Sequence, residues 1–125
     1  MPRPSRTRSA PAAQLLPRLR VMLGREIALG PGKVELLAFI AETGSITEAA
    51  KRMEMSYMRA WTLVQQMEAC FTAPLLDRQR GGAARGGAQL TSFGTRVLEL
   101  YQAMEAEALR ATEKSWRELR QRLRS

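Results

Sequence analysis

From Ser56 to Gln66 the chain carries Tyr57, Arg59, Thr62 and Gln65, with Met58 and Trp61 between them, and no acid. Hydrogen-bonding groups in an acid-free run suit base edges better than plain solvent. A guanidinium pairs in bidentate fashion with guanine O6 and N7, while amide and hydroxyl groups reach base edges or backbone. Arg59 is therefore the first candidate for reading a base, its competing role being a phosphate clamp. Tyr57, Thr62 and Gln65 suit base edges or backbone, and Met58 shares their face. Ser56 and Thr47 each stand at the expected start of a helix, where free amides and the helix dipole favour phosphate. Trp61 has two roles open to it, stacking on sugar-phosphate or packing under a hairpin. Arg78, Arg80 and Arg85 surround a glycine-rich loop and would set charge beside a minor groove, where width rather than sequence is sensed. A solvated hairpin tip is the plainer alternative for them.

Other chemistries lack their residues. The chain has no His and a single Cys, Cys70, so the usual zinc sets, the Cys/His and Ser/His/Asp pairs and an internal disulfide are excluded. The acids are scattered on helix faces and no nucleophile has a base partner, so no enzyme is expected. The loop GGAARGG lacks the Lys-Ser/Thr of a phosphate loop and precedes a strand, which makes it a hairpin tip. Met53, Met55, Met58 and Met67 near Cys70 resemble soft-metal ligands, yet most fall on core stripes, where thioethers fill irregular gaps. No cofactor is expected.

At 125 residues with a net charge of +8, the chain fits one domain plus tails. Residues 1–33 hold seven basic residues and one acidic, whereas 34–74 hold three and five, so positive flanks surround a mildly acidic centre. Such flanks favour a polyanion, since each neutralised phosphate releases counterions. No stretch approaches the ~18 apolar residues of a membrane span, and the basic N-terminus lacks the apolar core of a secretory signal. The expected location is the cytoplasm, with no membrane partner. The C-terminal helix carries Glu105, Glu107, Glu113 and Glu118, which weakens any case for its lying on anionic lipid.

Residues 1–17 form a basic arm, rich in Pro and Arg, expected to be flexible. Leu19 to Leu29 reads as a short hairpin or a helix leading into one. Val34, Leu37, Ala38 and Ala41 share a helical face that Leu36 and Ile40 widen, ending at Gly44. Ser45-Ile46-Thr47-Glu48 matches a capping box and opens a helix through Glu54, with Ala49, Ala50 and Met53 inward. Ser56 caps a second helix, to Cys70, whose stripe Ala60, Val64, Met67 and Phe71 faces the core. Leu75 to Arg80 and Ala88 to Leu90 form a hairpin. Thr91 or Ser92 caps a final helix of more than thirty residues with the stripes Val97, Tyr101, Met104, Ala108 and Leu109, Trp116, Leu119, Leu123. Exposed in a monomer these would be a liability, so homodimerisation through this helix is expected.

Helix, turn, helix and basic hairpin in this order make a winged helix-turn-helix: mainly α with a small β wing, in residues 18–91, followed by a long dimerisation helix in 92–125. GSITEAAKRMEMSYMRAWTLVQQME, residues 44–68, resembles the N-terminal domain of LysR-type regulators. SYMRAW followed by GGAARGGAQLT and FG is closer to the molybdate-responsive ModE-type regulators, a similarity spanning residues 18–110. The resemblance implies sequence-specific binding of double-stranded DNA as a dimer, with an oxyanion-sensing C-terminal module. Ending at Ser125, the chain is expected to be ModE-like without its own molybdate-binding domain. A reading from another class is an interaction module that binds a separate sensor protein or regulator through the winged fold and long helix.

Overall fold

The computed structural model describes residues 12–78 and 87–124. It opens with an antiparallel hairpin of β1 (Val21–Leu23) and β2 (Glu26–Leu29), paired from Leu23↔Glu26 outward. Of the two forms open in the sequence, the hairpin is realised because Gly24 takes a left-handed φ of 62° at the turn. Helix α1 (Pro31–Thr43) follows, started by a proline in its first turn and ended by Gly44 at φ 72°, whose amide closes onto the Ile40 carbonyl at 2.8 Å. Its buried face is Val34, Leu36, Leu37 and Ile40. Ala41, expected on that face, is exposed, because the bulkier Leu36 and Ile40 turn the helix toward themselves.

Helix α2 (Ile46–Arg52) buries Ile46, Ala49 and Ala50. It stops two residues before Glu54, which adopts a left-handed φ of 56° as the chain turns. Only half of the expected capping box forms: the Glu48 amide donates to Ser45 Oγ at 3.0 Å, but the Glu48 carboxylate pairs with Lys51 instead. The Ser45 amide already donates to Thr43 Oγ1, so the return bond has no donor left to take. Helix α3 (Tyr57–Glu68) crosses α2 over Ala49, Ala50 and Ala60, all buried. It ends before Cys70, and Phe71 leaves the helical stripe to meet Phe93 edge-on at 6.2 Å.

The wing pairs β3 (Leu76–Arg78) with β4 (Ala88–Leu90) in the register Leu76↔Leu90, Asp77↔Gln89, Arg78↔Ala88. Its return strand is stitched to the α1–α2 turn, where the Ala88 amide donates to the Gly44 carbonyl at 3.0 Å. Helix α4 (Ser92–Gln121) runs 30 residues, about 45 Å at 1.5 Å per residue. Thr91 is its cap, accepting from the Gly94 amide at 2.9 Å and donating to the Pro74 carbonyl at 2.7 Å.

Only the first turns of α4 enter the core, through Gly94, Val97 and Tyr101. Tyr101 Oη donates to the Leu19 carbonyl at 2.7 Å, tying the chain ahead of β1 to the long helix. Burial, and after it the Glu105 carboxylate, raise the phenol's pKa above its ordinary value, while Arg18 and Arg20 oppose them, so Tyr101 stays a donor. The segment before it follows the same helix: Leu15, Pro17 and Leu19 line a small apolar cleft with Ala108, Leu109 and Thr112. The result is a mainly helical winged helix-turn-helix with a long C-terminal helix. Gly94 lies so close to the Leu75 carbonyl that a Cβ there would overlap backbone. Gly94→Ala is expected to cost about 1–3 kcal/mol, read as a lower urea midpoint.

Candidate nucleic-acid interface

Ala60, Val64 and Met67 are wholly excluded from solvent. Helical geometry then fixes what lies opposite. Met58 is 65% exposed, and Thr62 and Gln65 stand beside it in solvent. Arg59 and Gln66 occupy one margin of this ridge, Tyr57 and Trp61 the other. The Arg59 amide is held by Ser56 Oγ at 3.1 Å, while its side chain is exposed and has no carboxylate partner among the described residues. Thr62 Oγ1 donates back to the Met58 carbonyl at 2.9 Å, so it faces outward as an acceptor. Thr47 lies exposed in the first turn of α2, and Ser56 is exposed at the cap of α3.

The wing side is built differently. Tyr57 and Trp61 stack with ring centroids 6.4 Å apart and planes 17° from parallel. The Arg78 guanidinium carbon lies 4.4 Å from the Trp61 ring centroid, within cation–π range. Arg78 Nη2 also meets Glu68 Oε1 at 3.5 Å, and Glu68 Oε2 accepts from the amides of Leu75 and Leu76 at 2.9 and 3.0 Å. Trp61 is half-buried against the core and lies under Arg78 of the wing's first strand. Arg78 is half-buried and engaged by Glu68 and Trp61. Arg80 and Arg85 lie outside the described residues.

Glu68 is the residue that sequence reasoning missed. One signal was available: an acid in the last turn of a helix opposes the helix dipole, so it needs partners elsewhere to offset that position. Of the four methionines near Cys70, Met67 is fully buried and Met53 and Met55 pack against the core, while Met58 is exposed. Among the described residues, no group of three or more His, Cys, Asp or Glu stands together to hold a metal, and no helix is long and apolar enough to cross a membrane. Glu68→Ala strips the Leu75 and Leu76 amides of their acceptor and Arg78 of its counter-charge, and is expected to cost about 2–3 kcal/mol. Glu68→Gln, which keeps one acceptor oxygen, should cost less in the same urea titration.

Comparisons with known proteins agree with this architecture. Residues 32–95 match the profile of the bacterial regulatory helix-turn-helix proteins of the lysR family. The chain is 38% identical over 87 residues to the Haemophilus influenzae "Transcriptional regulator ModE", covering 70% of this chain and 34% of that protein. It is 44% identical over 78 residues to the "Molybdenum-pterin-binding protein MopB" of Rhodobacter capsulatus, covering 62% and 29%. It thus spans about a third of the length of the curated relatives it matches. Among solved structures, the CbnR_DBD–DNA complex superposes with a TM-score of 0.54 at 27% identity, over 67% of this chain and 91% of that one. With the family profile covering both helices of the motif and the wing's strands, the chain belongs to the lysR family of bacterial regulatory helix-turn-helix proteins.

Proposed function

We propose that the chain is the sequence-specific, double-stranded DNA-binding part of a ModE-like transcriptional regulator that acts as a homodimer. One observation carries the reading: the exposed ridge of α3 is acid-free and rich in donors and acceptors, while its opposite stripe is locked in the core. The structural relative at 27% identity is itself described in complex with DNA. In this reading α3 enters the major groove, Arg59 pairs with a guanine, and Tyr57, Thr62 and Gln65 contact neighbouring edges or backbone. Thr47 and Ser56 face phosphates. A regulator of this kind works beside the chromosome, which places the activity in the cytoplasm.

Dimerisation follows from the long helix. Beyond Tyr101, α4 leaves the core with Met104, Leu109, Leu119 and Leu123 exposed, Leu119 at 56%. A second copy of the same helix would cover that face and set two recognition helices about 34 Å apart, one turn of duplex.

A mobility assay tests the reading. Six to ten phosphate contacts would weaken binding about a thousandfold or more between 50 and 200 mM salt, whereas no binding at low salt would favour the protein-interaction module instead. Arg59→Ala should cost about 1–3 kcal/mol on the preferred site only; an equal loss on every sequence would make Arg59 a phosphate contact. Met104→Glu with Leu119→Glu should raise the dimer dissociation constant about a hundredfold or more by burying unpaired carboxylates, seen by sedimentation, with the monomer still folded.

A further inference from the structure

Helix α3 has a second flank, turned away from the wing. Arg20, just ahead of β1, Lys33 in the first turn of α1 and Arg59 of α3 line one open cleft of about 390 Å³, with Ile27, Met53 and Leu63 among its apolar walls. Among the described residues, no acidic one lines it. The Arg20 stem lies against Gly30, and Lys33 Nζ donates to the Ile27 carbonyl, which places the ammonium without neutralising it. None of the three cations has a carboxylate partner among the described residues. The contrast with the wing side is informative, because there Arg78 is already paired with Glu68. Three cations drawn together from separate parts of the chain repel one another unless an anion lies between them.

Resting on the DNA reading above, we propose that this cleft is a phosphate-binding rail, in which Arg20 and Lys33 hold the DNA backbone beside the hairpin flank of α3. A helix about 10–12 Å across nearly fills a major groove about 12 Å wide, so a phosphate row runs along each of its flanks. Arg59 stands at the boundary between ridge and cleft, with Arg20 and Lys33 beyond it. The N-terminal hairpin thereby gains a role in the complex, as the wall that carries Arg20 and fixes Lys33.

The rail is tested with the full chain on its selected duplex and on a scrambled one. Arg20→Gln with Lys33→Gln should weaken both complexes alike, about fivefold to tenfold per residue near 100 mM salt, and lower the slope of log K against log salt by about two. Arg20→Lys with Lys33→Arg keeps both charges and should keep the slope. A duplex with methylphosphonates replacing the phosphates that flank the site gives a check that does not depend on the variant's folding. It should weaken the wild type and leave the double Gln variant little changed. If the wild type binds duplex but its slope and methylphosphonate sensitivity match those of the Gln variant, the rail is wrong and the DNA reading stands. If the wild type binds no duplex, both fall together.

Discussion

The rotation of α3 about its own axis is set by three side chains that water does not reach. Ala60, Val64 and Met67 lie on one stripe, and burying any other stripe would expose Val64 and Met67 at roughly 1.5–3 kcal/mol each. Ala60 has a further duty. It is buried in one core cluster with Ala49 and Ala50 of α2, and a larger residue there would overpack that core. Everything assigned to the surface of α3 follows from this lock: Met58, Thr62 and Gln65 outward, Arg59 toward the hairpin, Tyr57 and Trp61 toward the wing.

A second joint ties that helix to the assembly. Leu75 is buried, gives its amide to Glu68 of α3, accepts the Thr91 amide through its carbonyl, and lies directly beneath Gly94 of α4. The end of the recognition helix, the base of the wing and the start of the long helix therefore meet at one residue. If α4 pairs two copies, this junction sets how far apart and at what angle the two α3 ridges stand. Spacing on a duplex would then be a property of Leu75 and its neighbours as much as of the dimer contact.

Much of this was legible in the chain because it is written in local signals. Gly44 as a helix stop, Ser56 as a cap and the Ala60–Val64–Met67 part of the stripe rest on spacings of a few residues and stand as read, and of the two candidate caps for the last helix it is Thr91 that serves. What escaped involves partners far apart or competition for one group. Tyr101 reaches Leu19 across 82 positions, and Glu68 reaches Leu75, Leu76 and Arg78 after the chain has turned. No periodicity encodes either. The capping box failed in its second half because Thr43, outside the motif, had taken the amide that Glu48 would have answered. On the candidate interface the ridge residues were found by their face, whereas the engagement of Arg78 depended on that same long-range pairing. Arg20 and Lys33 gave no sign, because nothing in their separate neighbourhoods shows that they meet Arg59 across a cleft.

The central claim is that the outward ridge of α3 is the surface a duplex touches. The most direct measurement is a titration of the isotope-labelled chain with its selected duplex, followed by backbone and side-chain NMR shifts. The account predicts the largest changes at Met58, Arg59, Thr62 and Gln65, with Ala60, Val64 and Met67 moving little. Changes confined to α4, with the α3 ridge silent at saturating duplex, would contradict it.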